Sequence, residues 1–403
     1  MESVEPAHSP LGPSSSKRWI NCPASVALTD GIPDKDTVYN TQGRAAHHIS
    51  ELCRDNNRTA SEYLGYAEGP EMLDHEGQPI ICDQEMVDAV QVFLDHVNQF
   101  EGDTFCEEGV HYDRYVPGGF GTADDIRVSI DGRICWITDL KYGKGVQEYA
   151  PKNSQLMLYA IGFLEEYGWL YPDIEEFVLT ICQPRLDHID EWDITVGELV
   201  HWAKSVAAPA ARRTEYDEAP LQPGSWCQFC LIRDRCRGRA NWVLQQLDRA
   251  TEEQGATVID NRELALLLPH LPTIRGWCND MDALALSEVQ KGTPVGEYKL
   301  VEGRSNRTWR DEAKAVGGFK KYKFKVADTI KKKIISPKEF ETLAGKKHPL
   351  MTLRGSNGQL LYVVKPQGRP VLVPGEDPRK TYQVNAESEF EGMETESLGF
   401  LDE

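Results

Sequence analysis

The stretch Gly121-Thr122-Ala123-Asp124-Asp125-Ile126-Arg127-Val128-Ser129-Ile130-Asp131-Gly132-Arg133-Ile134-Cys135-Trp136-Ile137-Thr138-Asp139-Leu140-Lys141 decides the fold class. Its two arms are rich in β-branched and aromatic residues, and the Asp131-Gly132 pair between them is a hairpin signal. The arms, 121–130 and 133–140, therefore read as paired strands, and 104–112 reads as a third strand of the same antiparallel sheet. Asp124 and Asp139 fall at the ends of neighbouring strands, where two carboxylates can converge on one hard cation. Magnesium and manganese suit such oxygen ligands. Side chains alternate with period two along a strand, so Lys141 shares the face of Asp139. A cation that activates water, with an ammonium beside it, suits phosphodiester hydrolysis. Taken alone, D-x-K is weak evidence and reads better as a surface salt-bridge ladder. Asp125 points to the opposite face of a regular strand, and Glu107 and Glu108 on the preceding strand are candidates only for supporting the ligands.

Working outward, Val87, Val90, Phe93, Leu94 and Val97 recur at helical spacing within 84–100. A short helix begins near Ser25, and a firmer one covers 42–56. After the hairpin, 154–167 is helical with Leu156, Tyr159, Ala160 and Phe163 on one stripe. A strand over 176–184 and a helix over 196–216 follow. Beyond residue 250 the character shifts: 261–288 reads as two helical pieces broken near Pro269 and Pro272, followed by short strands, lysines and Gly/Pro turns. The expected plan is a disordered Pro/Ser-rich N-terminus over 1–16, a catalytic domain over 17–250, a C-terminal α+β accessory domain over 251–380 that binds DNA, and an acidic tail over 381–403.

The length of 403 residues accommodates roughly two or three domains. The net charge of -20 argues against a protein that coats nucleic acid through bulk positive charge. A nuclease needs only a local basic surface, and the lysines between Asp311 and Leu350 offer one. No run of about 18 uncharged apolar residues and no secretion-signal layout occurs, so an intracellular protein without a membrane span is expected. In that setting ten cysteines do not read as a disulfide framework.

Four motifs stand in order: Gly43-x3-His47, Gly121-x2-Asp124, Asp139-x-Lys141 and Gln155-x3-Tyr159. This layout resembles the RecB-type branch of the PD-(D/E)XK nucleases, which includes helicase-linked nucleases and CRISPR adaptation nucleases. The resemblance implies an α/β, restriction-endonuclease-like core, with a mixed central sheet flanked by helices. It implies hydrolysis of DNA phosphodiesters with Mg2+ or Mn2+, as an exonuclease. His47 would join Asp124 and Asp139 as a metal ligand, Lys141 would act on the nucleophile, and Gln155 and Tyr159 would assist. On physical grounds alone, His47 reads equally as a packed or surface residue. Tyr159 with Gln155 likewise reads as core packing with a cap.

Cys227-x2-Cys230-x5-Cys236 lets three thiolates converge, and Cys22 is the natural fourth. Four thiolates suit an iron–sulfur cluster or tetrahedral zinc. Some members of the same nuclease branch carry one cysteine before the core and three after it, holding a [4Fe-4S] cluster, and the resemblance implies that arrangement here. Such a cluster ties the first ordered turn to the domain's end, so its binding energy becomes folding energy. Arg233 and Arg235 are candidates for phosphate contact, as are Arg304 and Arg307 beside Trp309; a solvated face and an ordinary basic strand pair explain them as well. The C-terminal part resembles bacteriophage nuclease-like proteins. That implies DNA as partner, action in phage DNA replication, recombination or end processing beside a strand-annealing or single-strand-binding protein, and the cytoplasm of a bacterial host cell. The competing reading is a non-catalytic DNA-binding recombination scaffold that retains the nuclease fold.

Overall fold

The computed structural model describes residues 9–33, 36–251, 260–303, 307–324, 336–345, 347–354, 359–364, 370–373 and 380–382. The chain divides into two compact units, Met1–Trp277 and Cys278–Glu403.

The first unit is built on a five-stranded sheet in the order β1-β2-β3-β4-β5, with β1 Gly102–His111, β2 Phe120–Ser129, β3 Ile134–Leu140, β4 Glu176–Gln183 and β5 His188–Thr195. β1, β2 and β3 run antiparallel through the pairs Phe105↔Ile126 and Ile126↔Ile137. β3 and β4 are parallel, and the helix Ser154–Tyr167 lies between them in the chain, as a parallel pair requires. The sheet is therefore mixed. β5 returns antiparallel through a tight turn at Asp187, whose φ of 51° is left-handed. In sequence, His188–Thr195 does not alternate cleanly, because Asp190, Glu191 and Asp193 interrupt it; an edge strand tolerates such charges.

Helices cover both faces, which is how a sheet buries two apolar surfaces. We number them α1 Ser16–Asn21, α2 Ala24–Thr29, α3 Val38–Asp55, α4 Gln84–Val97, α5 Ser154–Tyr167, α6 Val196–Trp202 and α7 Ala208–Thr214. α3 and α4 are capped by Thr37, which accepts from Asn40 N at 3.2 Å, and by Asp83, which accepts from Met86 N at 2.9 Å. Their apolar stripes (Ile49, Cys53; Val90, Phe93, Leu94) form one core with Leu140 and Cys182. Asn153 caps α5, which packs Leu156, Met157 and Phe163 on the other core with Ile126, Ile137 and Leu179. The helix expected over 196–216 carries a π-helical turn, Ala203–Ala207, just before Pro209. Proline has no N–H for the regular ladder, and the widened turn accommodates it.

The disorder expected for 1–16 does not extend over Ser9–Ser16; residues 1–8 lie outside the described residues. Leu11 and Pro13 are buried, and Tyr112 Oη donates to Leu11 O at 3.0 Å. Ser16 Oγ meets Ser154 Oγ at 2.7 Å, and the fully buried Trp19 donates from Nε1 to Gly12 O at 3.1 Å. Composition misleads here because two apolar side chains and one indole suffice to dock a short segment. At about 1.5–3 kcal/mol per large buried side chain they offset its ordering entropy. Pro13 also explains Gly121: a Cβ there would stand 2.5 Å from the proline ring.

Three helices follow: α8 Arg237–Thr251, α9 Asn261–Leu267 and α10 Leu271–Gln290. Pro269 separates the last two and Pro272 sits in the first turn of α10, where its missing N–H costs nothing. The second unit pairs β6 Lys299–Glu302 with β9 Pro370–Val373, and β7 Thr308–Trp309 with β8 Val363–Val364. Its core gathers Trp309, Phe319, Phe340, Leu350 and Val363. Among the described residues no helix is long and apolar enough to cross a membrane.

Candidate functional site

The β1–β2 ladder pairs Cys106 with Asp125 and Glu108 with Ala123, so Glu107 and Asp124 face each other between them. Glu107 has a left-handed φ of 47°. For a non-glycine residue this conformation costs roughly 1–3 kcal/mol and marks a place where surrounding contacts impose the backbone. On the other side of Asp124, the β2–β3 pairing ends at Asp125↔Thr138. One step further the same register sets Asp124 opposite Asp139, and Asp124 Oδ2 accepts from Leu140 N at 2.6 Å. Both aspartates are buried.

α3 brings His47 to this point, with Nδ1 3.3 Å from Asp124 Oδ1. His47, Glu107 and Asp124 each offer a ligand atom, and these atoms lie within 4.8 Å of one another, a group able to hold a metal ion. Two carboxylates this close repel by roughly 3 kcal/mol at an effective dielectric of about 20, so the arrangement calls for a cation or a proton. His47 shows the second choice. Burial lowers its pKa, yet the Asp124, Glu107 and Asp139 carboxylates outweigh burial and push it up to about 9. Glu107 is raised by burial and by Asp124, whereas Asp124 is held low, against burial, by His47 and the Leu140 amide.

Asp139 stands outside this trio. Its Oδ1 accepts from Gln155 Nε2 at 2.8 Å, and Lys141 Nζ lies 2.9 Å from its Oδ2. Gln155 Oε1 accepts from Lys141 Nζ at 2.9 Å, and its Nε2 also donates to Tyr159 Oη at 3.0 Å. Burial lowers the Lys141 pKa, but Asp139 and Glu148 overcome it and the ammonium is held above its ordinary value. Burial raises Asp139, against the pull of Lys141. The structure therefore forms two adjoining groups, His47–Glu107–Asp124 and Asp139–Lys141–Gln155–Tyr159. Asp125 belongs to neither: Arg127 Nε donates to its Oδ1 at 3.1 Å, and Arg54 Nη1 lies 3.3 Å from its Oδ2.

Sequence reasoning gave Glu107 only a supporting place and passed over Arg54. Both depend on the strand register and on a helix that precedes the sheet by some fifty residues. Gly43, one turn before His47, faces open space: a Cβ there meets nothing within 4 Å.

Cys22, Cys227, Cys230 and Cys236 line one cavity together with Arg18, Leu28, Trp226, Ile232 and Arg233. Backbone amides point at the sulfurs: Gln222 N to Cys22 at 3.4 Å, Gly224 N to Cys227 at 3.3 Å, and Arg239 N to Cys236 at 3.5 Å. Burial raises the Cys22 and Cys227 thiols. Arg233 and Arg235 are exposed, and the Arg233 carbonyl accepts from Arg239 Nη1 at 2.9 Å. In the second unit, Arg307 forms a two-pronged ion pair with Glu341 at 2.5 and 2.6 Å; Arg304 lies outside the described residues, as does the tail from residue 383.

The chain belongs to the family described as "Protein of unknown function (DUF2800)", which matches residues 8–380. It is similar to a crystal structure from Eubacterium rectale described as "Putative exonuclease", at 12% identity and a TM-score of 0.31, over 56% of this chain and 88% of that one. It is also similar to the crystal structure of SSO0001, at 15% identity and a TM-score of 0.22, over 55% of this chain and 96% of that one. Likeness of this depth carries no functional argument.

Proposed function

We propose that this DUF2800 chain is a metal-dependent deoxyribonuclease, acting as an exonuclease on a restriction-endonuclease-like core of the PD-(D/E)XK class. The observation that carries the reading is the convergence of His47, Glu107 and Asp124 within 4.8 Å, beside a lysine fixed by Asp139 and Gln155. Their donor set, one imidazole and two carboxylates, suits Mg2+ or Mn2+, which would supply Lewis-acid charge and a water of lowered pKa. Asp139 lies next to Asp124 and can add an oxygen to that set. Lys141 contributes charge. Held protonated by Asp139 and Glu148, it favours the phosphoryl oxygens as negative charge builds on them, and in this arrangement it does not act as the base. Gln155 fixes the directions of Lys141 and Asp139 at once, and Tyr159 backs the amide. The open face over Gly43 leaves room for a DNA strand beside His47.

For the cysteines we propose a [4Fe-4S] cluster in a structural role. What supports this reading is that all four cysteines line one cavity and backbone amides point at three of the sulfurs; a single tetrahedral zinc is the alternative.

The test uses full-length protein purified without oxygen, end-labelled single- and double-stranded DNA, and manganese, beside Asp124→Ala and Lys141→Ala. Metal-dependent shortening by the wild type alone is expected. Equal degradation by all three proteins would refute the nuclease reading and favour a DNA-binding scaffold.

A further inference from the structure

We propose that Arg54 is the positioning residue of the metal centre, presetting Glu107 opposite Asp124 as a ligand; this rests on reading the His47 trio as a divalent-cation site. Arg54 lies two helical turns after His47 on α3, so both project from one helix face. Its side chain is only 8% exposed. The guanidinium is spread across both strands that carry the oxygens. Nη1 donates to Asp124 O at 2.7 Å, and Nη2 to Glu107 Oε1 at 3.3 Å. Nε reaches back to Ser50 O at 3.4 Å, and the group packs over the Phe93 ring at 5.7 Å.

One planar fork thus joins the helix that carries the imidazole to the two strands that carry the carboxylates. A lysine ammonium is a single point of charge and cannot span these acceptors in a fixed geometry. The need for such a brace lies in Glu107, whose left-handed backbone would otherwise relax toward extended strand and turn its carboxylate away from Asp124. Arg127 provides the contrast. It is equally buried and holds the other oxygen of Asp125, but its remaining bonds go to Phe100 O and Asn98 Oδ1, and none goes to the trio.

The experiment is calorimetric titration of the full chain with Mn2+, for wild type, Arg54→Gln, Arg54→Lys, Glu107→Gln, the Arg54→Gln/Glu107→Gln double variant and Arg127→Gln. Arg54→Gln should weaken Mn2+ binding about ten- to a hundredfold, the usual effect of losing a group that orients a ligand. Arg54→Lys should fall between, and Arg127→Gln should stay within a few fold of wild type. The double variant should lose no more than Glu107→Gln alone, because Arg54 acts through Glu107. Wild-type affinity in Arg54→Gln, independent losses that multiply in the double variant, or an equal loss in Arg127→Gln would each overturn the proposal. Should Arg54→Gln fail to fold, Arg54→Lys with undiminished affinity would do the same. A wild type that takes up no Mn2+ would bring down the metal reading and Arg54's role together, an outcome distinct from loss of the Arg54 effect alone.

Discussion

Gln155 and Asp139 are joined by a 2.8 Å hydrogen bond in which the amide nitrogen donates to the carboxylate. The same amide accepts from Lys141, so its orientation is forced: rotated by half a turn, it would set N–H against ammonium and oxygen against carboxylate. Gln155→Ala is expected to lower the rate of metal-dependent cleavage about ten- to a hundredfold with a smaller loss of Mn2+ affinity, since Gln155 touches no member of the His47 trio and reaches the metal site only through Asp139. Single-turnover rates beside metal titration check this. An equal loss in both would place Gln155 in metal binding instead.

The proton on His47 gives the metal-free protein a distinct pH response. Its folded pKa of about 9 lies above the ordinary value of 6.5. The stability it contributes is fully present below about 6.5 and is lost as pH rises through 9. Glu107 and Asp139, raised to about 7 and about 6, act in the same direction but at lower pH, their contributions being lost between the ordinary carboxylate range and those values, which leaves His47 as the source above pH 7. In chelator, the melting temperature should therefore fall between pH 6.5 and 9, and His47→Gln should flatten that fall. An unchanged slope in the variant would remove His47 as its source.

Gly43 sits inside α3 with open space where a side chain would stand. Gly43→Ala should stabilise the protein by about 0.5–1 kcal/mol, because alanine loses less chain entropy in a helix. Gly43→Leu should stay folded and bind Mn2+ normally, yet cleave DNA more slowly. Undiminished cleavage by Gly43→Leu would move the substrate path elsewhere.

Cys22 is separated in sequence from the three cysteines that share its cavity. Cys22→Ser should abolish the visible thiolate-to-iron absorbance of anaerobically purified protein and lower its melting temperature, since binding energy in such a site is folding energy. A colourless wild type carrying one equivalent of zinc would select zinc instead.

Much of this arrangement was legible in sequence because it depends on local signals. The hairpin turns at Asp131-Gly132, where Gly132 takes a φ of 72°, and β1 to β4 and α5 lie where apolar periodicity puts them. What escaped depends on non-local geometry. β5 carries the charges of an edge strand. Glu107 differs from any strand glutamate only through the register that sets it against Asp124 and a backbone turned left-handed. Ser9–Ser16 has the composition of a tail, yet Leu11 and Pro13 find a surface made by Tyr112 and Gly121, more than a hundred residues later.

The shared cavity of Cys22 and Cys236 also sets an order of events during synthesis. The two cysteines are 214 positions apart. At about 5–20 residues per second, a ribosome needs roughly ten to forty seconds to add the fourth thiol after the first. Throughout that interval Trp19 and Leu11 can dock only on sheet residues already made, and the cavity has no far wall. Whatever fills the cysteine cavity with all four thiols can therefore do so only late, after every residue of the five-stranded sheet has been synthesised.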